Sequence, residues 1–161
     1  AQPVKFNSNN SCKVIEGEWA DPYTGRNFTS AADIQIDHFV PLKNAYITGA
    51  SRWSANLRCL YANYIHNDFH LLSVNGIENQ RKSDRTPEGY MPPDRSFSCQ
   101  YLKNWLEVKL IWKLVLTSSE AETVEKLARE NHCTAGEIRT SLHELMEQRR
   151  QIFENKDFCT P

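Results

Sequence analysis

The stretch DIQIDHFVPL, residues 33 to 42, joins a short strand to a pair of side chains that can do chemistry. Apolar and polar residues alternate through positions 34 to 37, as in a half-buried strand. Pro41 has no backbone N–H, so it bars this segment from continuing as an ordinary central strand. The strand therefore ends beside Asp37 and His38, and a carboxylate next to an imidazole at a strand end needs an explanation.

The composition predicts one globular domain over residues 1–161. Apolar residues make up 40% of the chain and charged residues 24%, which are ordinary values for a globular protein. A run of about 18 apolar residues, as a membrane-spanning helix requires, is missing from the sequence. The chain begins AQP, without an initiator Met and without a leader pattern of basic, apolar and small residues. This start fits a secreted protein whose signal peptide has been removed, or a trimmed chain.

The cysteine pattern indicates an oxidising compartment. The five cysteines are widely spaced and none forms a CxxC pair, so a zinc ribbon or a thioredoxin-type site is not expected. Wide spacing suits disulfides in a secreted protein, and the alternative is five buried thiols in a cytosolic one. An odd count leaves at least one cysteine free or intermolecular. Two glycosylation sequons, at residues 9–11 and 27–29, agree with secretion. The sequence does not determine how Cys12, Cys59, Cys99, Cys133 and Cys159 pair.

Charge is unevenly distributed along the chain. The net charge is −1, but residues 38–85 contain six Lys/Arg against three Asp/Glu, so this segment is +3 and the remainder is −4. A whole molecule that is nearly neutral is not a strongly basic nucleic-acid binder. A local basic surface is nevertheless compatible with a phosphate backbone as substrate, and the alternative is an ordinary solvated face.

The first half of the chain predicts two strands with helices between them. Residues 1–32 show turn signals and only short candidate strands. A strand over 33–40 is followed by a short helix, and Ser51 is expected to cap a second helix. A second strand is predicted at 69–74. Asn75 then caps a helical stretch, GIENQRKS, which ends before a proline-rich loop.

The region 98–155 is predicted to be helical. Apolar residues recur at steps of four and three from Tyr101 to Val115, and the two tryptophans in this stripe are expected in the core. The stretch SSEAETVEKLAREN predicts a second helix. Thr134 and Glu137 have the spacing of a capping box for a third. The apolar face of that third helix is Ile138, Leu142, Leu145 and Ile152.

The order of strand, insertion, strand and helix brings a set of polar groups together. The set is Asp37, His38, His70, Asn79, Arg81 and Lys82. Phosphodiester cleavage needs a neutral imidazole that takes a proton from water, and a hard cation that neutralises charge developing on the phosphate and the leaving oxygen. Carboxylate and amide oxygens suit Mg²⁺, and cationic side chains bind the substrate phosphate.

These residues resemble a known nuclease family. The strand end with DH, followed by the elements LLSV and ENQRKSD, is similar to the HNH, or His-Me finger (ββα-metal), nucleases. The stretches IDHFVPLKNAYITGAS, YAN, ENQRKSDRTPEGYMPP and CQYLKNWLEVKLIW resemble one branch more closely. That branch is the C-terminal nuclease domain of GmrSD-type restriction enzymes, which also occurs as a free-standing secreted protein. The similarity covers roughly residues 12–133, and the ordered set of elements is far more specific than a lone DH.

The resemblance implies a role for each matching residue. His38 would be the general base that activates water, and Asp37 a metal ligand or an anchor behind the ligands. Asn79 matches the last position of the family pattern and would ligate the metal. Arg81 and Lys82 would bind phosphate or stabilise the transition state. Substrate binding is also expected from three cations of the basic segment, Lys43, Arg58 and Arg85.

His70 departs from the family pattern. It falls at the middle position, which is usually Asn and which orients the loop and the base through backbone contacts. Whether His70, Asn67 or Asn63 does that job stays open at this point. His70 could instead touch the metal, and a buried strand histidine bonded to the backbone is the equal alternative.

The expected fold is α+β, with a ββα-metal core over about residues 33–84 and a mostly helical C-terminal half. The expected function is metal-dependent endonuclease cleavage of nucleic acid, with DNA favoured and RNA as the other substrate. One divalent ion is expected, Mg²⁺ before Mn²⁺, Ca²⁺ or Zn²⁺, and 5′-phosphate and 3′-hydroxyl products follow from the family pattern. Low sequence specificity is expected because the domain carries no helix-turn-helix or finger module.

Two alternatives come from other classes of protein. The first is a non-catalytic secreted interaction or effector protein built on a nuclease-like fold. The second is a redox or zinc protein that uses the cysteines, against which the lack of CxxC argues. We expect a monomer that does not bind membranes. A toxin domain with an immunity or inhibitor partner is compatible with the sequence, although such a partner would leave no mark on this chain.

Overall fold

The computed structural model describes residues 4–8 and 12–159, which form an α+β protein. The first sequon, at residues 9–11, lies outside the described residues. The strands are β1 (Lys5–Phe6), β2 (Val14–Asp21), β3 (Arg26–Ser30), β4 (Ile34–His38) and β5 (Leu71–Asn75). The helices are α1 (Leu42–Ile47), α2 (Ala55–Ala62), α3 (Gly76–Lys82), α4 (Ser98–Ile111), α5 (Ser118–Glu130), α6 (Ala135–Ile138) and α7 (Leu142–Glu154).

The ββα core has the predicted order, with β4 antiparallel to β5. Ile34 pairs with Asn75 at one end of the ladder and His38 pairs with Leu71 at the other. The side chain of Asn75 accepts hydrogen bonds from the backbone N–H of Ile77 and Glu78, so it caps α3 as predicted. The chain therefore turns from β5 directly into α3, which brings the helix back along β4.

The N-terminal region is more regular than predicted. β1, β2 and β3 form an antiparallel sheet, and β2 is eight residues long. The Asp21 carboxylate holds the β2–β3 turn by accepting from the N–H groups of Tyr23 and Thr24. It also accepts from the Asn75 N–H at 3.1 Å. One carboxylate thus ties the N-terminal sheet to the point where β5 becomes α3, a link between distant segments that has no local signal in the sequence.

Helix α4 supplies a large part of the core. Tyr101, Trp105 and Val108 on α4 are fully buried, and the Tyr101 ring lies 4.9 Å from that of Phe39, just after β4. The predicted stripe is therefore correct over this helix. It ends earlier than predicted, because α4 stops at Ile111 and leaves Val115 half exposed.

One predicted helix start was wrong, and one predicted helix is two. α2 is capped by Ser54, whose hydroxyl accepts from the Leu57 N–H, and not by Ser51. The third C-terminal helix is split, because the capping box of Thr134 and Glu137 starts only the short α6. The backbone becomes extended after α6, and Ser141 caps α7 separately. Leu142 consequently lies at the exposed start of α7 rather than in its buried face.

Disulfides and side chains attach the C-terminal helix to the core. Cys59 bonds Cys159 and Cys99 bonds Cys133, while Cys12 is free, which confirms that at least one cysteine lacks an intramolecular partner. On α7, the side-chain oxygen Oε1 of Gln148 accepts from the Tyr64 hydroxyl at 2.8 Å and from the Asn67 side-chain amide at 3.0 Å. The tail beyond residue 134 therefore packs on the core. Within residues 4–8 and 12–159, every helix is too short or too polar to span a bilayer.

Candidate active site

His38 stands at the end of β4 with one ring nitrogen committed to the backbone. Its Nε2 lies 2.9 Å from the carbonyl oxygen of Ala62, the last residue of α2. A carbonyl oxygen can only accept, so Nε2 carries the hydrogen and the neutral ring has its lone pair on Nδ1. Among the described residues, none hydrogen-bonds to Nδ1. The half-buried imidazole is therefore oriented by one nitrogen and available as a base through the other.

Asp37 points into the protein rather than toward solvent. Its Oδ2 accepts from the Tyr23 hydroxyl at 2.6 Å, and its Oδ1 lies 2.8 Å from the Lys82 ammonium. Lys82 Nζ also donates to the His38 carbonyl oxygen at 3.0 Å. Tyr23, Asp37 and Lys82 thus form a buried network that fixes the main chain at the base. Burial and the nearby Asp37 charge raise the pKa of Tyr23, so its hydroxyl stays protonated and donates.

This network corrects two predicted roles. Lys82 is 0% exposed, so its ammonium cannot contact a substrate phosphate. Burial lowers the pKa of Lys82, and the attraction of Asp37 opposes that shift. Both Asp37 oxygens are already bonded, so this carboxylate serves as an anchor and is not open to a metal ion.

At positions 36 and 37, near the end of β4, burial is the reverse of what the hydrophobic alternation suggests. Ile36 is 59% exposed, whereas Asp37 is 4% exposed. The alternation correctly predicts a strand, but hydrophobicity alone would turn Ile36 inward. The ion pair with Lys82 and the bond to Tyr23 allow the polar side to be the buried one, because buried charges persist where they are paired and hydrogen-bonded.

His70 lies in the core rather than at a metal site. It is 1% exposed, and its Nε2 lies 2.7 Å from the carbonyl oxygen of Tyr61. The imidazole packs against the rings of Tyr61, Tyr64 and Trp112. Burial lowers its pKa to about 4. Of the two alternatives for His70, the structure therefore favours the buried strand histidine bonded to the backbone over the metal ligand, since a ring enclosed by aromatic side chains is not open to a metal ion.

Two imidazoles are thus held by consecutive carbonyl groups at the end of α2. The Tyr61 carbonyl oxygen is hydrogen-bonded to His70 Nε2, and the Ala62 carbonyl oxygen is hydrogen-bonded to His38 Nε2. The loop before His70 is shaped by Asn67, whose side-chain oxygen accepts from the N–H groups of Phe69 and His70. Asn67 and His70 together therefore do the loop-orienting work that sequence reasoning left open.

Asn79 is the one predicted metal ligand whose donor atom remains available. Its amide nitrogen donates to the Gln35 side chain at 3.0 Å, and nothing within the described part of the chain donates to its amide oxygen. Gln35 lies three residues before His38 on β4. Over the described ranges, no cluster of three or more His, Cys, Asp or Glu side chains is arranged to hold a metal. Asn79 fits a metal ligand, whereas Asp37 and His70 do not.

The other predicted cations are on the surface. Arg81 pairs with Glu78 but remains 68% exposed, and Lys43 pairs with Asp84 near the end of α3. Arg58 donates to the Trp53 carbonyl at 2.5 Å, and Arg85 donates to the Arg81 carbonyl. All four side chains are exposed, whereas the Lys82 side chain is buried. These four can therefore reach a phosphate in solution and Lys82 cannot.

Sequence reasoning missed Tyr23 and the Ala62 carbonyl. Tyr23 follows a turn in a segment that looked irregular, and its partner Asp37 is 14 residues away. A backbone acceptor such as the Ala62 carbonyl has no residue type by which it can be recognised. Neither feature had a signal in the sequence alone.

The buried His70 predicts a specific loss of stability in acid. Its pKa is about 4 in the folded protein against 6.5 when unperturbed, so below pH 6.5 the unfolded chain binds more protons. Stability from this group is complete above about pH 6.5 and is lost as the pH falls toward 4. The loss between about pH 7 and about pH 4.5 is expected to be about 2 kcal/mol.

The measurement is urea unfolding of the wild type and His70→Asn at both pH values. Carboxylate titrations are common to the two proteins and cancel in the comparison. Asn does not titrate, so the stability advantage of the wild type should shrink by about 2 kcal/mol in acid. An advantage that is the same at both pH values would show that His70 is not the titrating group.

Comparison with known proteins gives the family. The model of the family "GmrSD restriction endonucleases, C-terminal domain" matches residues 3–126. A protein of Arthroderma benhamiae described as an uncharacterized secreted protein is 38% identical over 117 residues, which are 73% of this chain and 57% of that protein. The chain thus spans little more than half the length of this relative. No solved structure matches the chain. The family model covers β2 through most of α5, with both strands and the helix that surround His38, and the chain belongs to the GmrSD restriction endonuclease C-terminal domain family.

Proposed function

We propose that this protein is an endonuclease that hydrolyses phosphodiester bonds of nucleic acid with His38 as the general base. DNA is the favoured substrate, RNA is the other candidate, and sequence specificity is low. The observation that carries the proposal is the hydrogen bond from His38 Nε2 to Ala62. It leaves the basic lone pair on Nδ1.

The reaction would use the residues in distinct ways. His38 Nδ1 accepts a proton from a water molecule, and the resulting hydroxide attacks phosphorus. The Tyr23–Asp37–Lys82 network keeps the main chain of His38 in place while the ring gains charge. Arg81 and the neighbouring exposed cations bind the phosphate. The bond from phosphorus to the 3′ oxygen breaks, and this oxygen takes a proton from water, which leaves 5′-phosphate and 3′-hydroxyl ends.

A divalent cation, Mg²⁺ foremost, is part of the proposal. It would neutralise the charge that develops on the phosphate and on the leaving oxygen. Mg²⁺ keeps several waters and takes few protein ligands besides substrate phosphates, and the Asn79 amide oxygen would supply one of these ligands.

Secretion is supported by two independent observations. The relative from Arthroderma benhamiae is described as secreted, and two disulfides link distant parts of this chain. Such bonds persist in oxidising compartments and are rare in the cytosol. We propose that the protein acts outside the cell as a monomer.

A second candidate function is a non-catalytic secreted interaction protein. The observation that favours it is that two of the three expected metal ligands face other groups. Asp37 is hydrogen-bonded to Tyr23 and Lys82, and His70 is enclosed in the core. The retained His38 geometry favours the enzyme.

Metal removal distinguishes the two functions. Purified protein incubated with plasmid DNA and with structured RNA is expected to cut at least one polymer with Mg²⁺. EDTA is expected to stop the cleavage, and restored Mg²⁺ to recover it. The assay is repeated with Mn²⁺, Ca²⁺ and Zn²⁺.

Each other outcome has a definite meaning. If neither polymer is cut with any of these ions, the non-catalytic function becomes the better one. Cleavage that continues undiminished in EDTA would support the nuclease function but would show that the reaction does not need a divalent cation. Asn79→Ala, compared with the adjacent control Gln80→Ala, is expected to raise the Mg²⁺ concentration that half-maximal activity requires.

A further inference from the structure

A small cavity lies between α1 and α2, beside the residues that hold His38. Its volume is about 190 Å³. Its lining includes Leu42, Tyr46, Trp53, Arg58, Tyr61 and Ala62. This volume is below the range of about 300–1,000 Å³ that is typical of pockets for whole small-molecule ligands, so the cavity suits one flat ring system rather than a complete nucleotide.

The cavity and the base share their support. Ala62 lines the cavity while its carbonyl oxygen binds His38 Nε2 at 2.9 Å. Tyr61 also lines it, and the Tyr61 hydroxyl donates to the Val40 carbonyl at 2.7 Å, two residues after His38. A ligand held in this cavity would therefore lie beside the imidazole.

The inside of the cavity is aromatic, and its mouth is open. Tyr61 is buried, and its ring centre lies 5.8 Å from that of Trp53. At the mouth, Tyr46 is 53% exposed and Leu42 is 47% exposed. A half-exposed tyrosine at the opening can present one face of its ring to a ligand.

The charge around the cavity favours a polyanion. Residues 38–67 contain Lys43, Arg52 and Arg58 but no Asp or Glu, and Lys43 is paired with Asp84 from outside this segment. Arg58 uses one guanidinium nitrogen on the Trp53 carbonyl and is otherwise exposed. An apolar ring site with cations and no acids in the surrounding segment matches a nucleotide, in which a flat base is attached to a phosphate backbone.

We infer that this cavity binds one unstacked base of a single-stranded nucleic acid, next to the phosphodiester that His38 acts on. The inference rests on the proposed function and deepens it. The base stacks on Tyr46, and Arg58 contacts the same nucleotide through its free N–H groups. A base in a duplex is stacked on both faces and cannot enter, so the site selects single strands or locally opened duplexes.

Binding without cleavage tests this inference separately from the proposed function. The affinity of His38→Ala in EDTA is measured by fluorescence anisotropy for a short oligothymidylate and for an abasic oligonucleotide of equal length. Tyr46→Ala is added to the His38→Ala protein, which serves as the parent. It should weaken binding to the oligothymidylate by about 5- to 150-fold, the change in affinity that corresponds to the stacking of one base on an aromatic ring. Tyr46→Phe should bind like the parent, and Ile47→Ala, which alters an exposed neighbour on α1, is the matched control.

The abasic oligonucleotide decides whether the base is what Tyr46 contacts. Tyr46→Ala and the parent should bind it equally, because no base is present to stack. The inference is overturned if Tyr46→Ala binds oligothymidylate as tightly as the parent, or if it weakens both oligonucleotides equally. An equal loss with Tyr46→Phe would also overturn it, since the hydroxyl and not the ring would then be responsible. None of these results depends on whether the wild type cuts nucleic acid.

Discussion

His38→Ala is expected to lower the rate of nucleic-acid cleavage by about 10²- to 10⁴-fold, the usual consequence of losing a general base. The expectation follows from the ring's two distinct nitrogens. Nε2 is occupied by the Ala62 carbonyl, so proton transfer depends on Nδ1 alone. Initial rates on the polymer that the wild type cuts, at saturating Mg²⁺, give the comparison.

Two further variants separate loss of the base from loss of structure. His66→Ala removes another exposed histidine from the insertion and should cut like the wild type. His38→Gln keeps an N–H that can donate to Ala62 but provides no basic nitrogen that can accept a proton from water, so it should be as inactive as His38→Ala. Full activity in His38→Gln with a normal unfolding temperature would remove His38 from the role of base.

Lys82→Met is expected to destabilise the fold by about 3–5 kcal/mol, because it leaves a buried carboxylate without its counter-charge. Lys82 is 0% exposed and Asp37 is 4% exposed, and their charged atoms are 2.8 Å apart. Met has a similar length and no charge, so the main change is the unpaired Asp37. Urea unfolding at neutral pH, followed by far-UV circular dichroism, measures the loss.

A double variant separates the ion pair from the general effect of altering the core. Asp37→Leu combined with Lys82→Met removes both charges and should recover most of the lost stability, since apolar replacement of a buried pair is often neutral or stabilising. Lys43→Met breaks the exposed pair with Asp84 and should change stability far less. Equal losses of stability in Lys43→Met and Lys82→Met would show that burial does not determine how much an ion pair matters to the fold.

The sequence was sufficient for the ββα core because its signals are local. Alternation predicted β4, Asn75 predicted the start of α3, and the spacing of Tyr101, Trp105 and Val108 predicted the buried face of α4. The long strand β2 was missed because its side chains alternate weakly between half-buried and exposed positions. Ser51 and Ser54 offer the same hydroxyl, so the choice of helix cap depended on backbone conformation.

The sequence predicted which residues lie at the site, but it did not predict which groups their side chains contact. The family pattern located Asp37 and Lys82, yet it did not reveal that they bind each other, because residues 45 positions apart meet only in the folded chain. His70 shows the same limit. Its position in the pattern pointed to a metal, whereas its exposure of 1% and its bond to Tyr61 are properties of the packed core.

The acceptor that orients His38 is a main-chain oxygen, and this has a consequence for how the enzyme can evolve. Nearly every amino acid at position 62 would supply the same carbonyl to the imidazole, so the catalytic geometry tolerates replacement there. Ala62 also lines the small cavity between α1 and α2. Under the proposed function, single changes at this position would alter the lining of the cavity while leaving the acceptor that orients His38 in place.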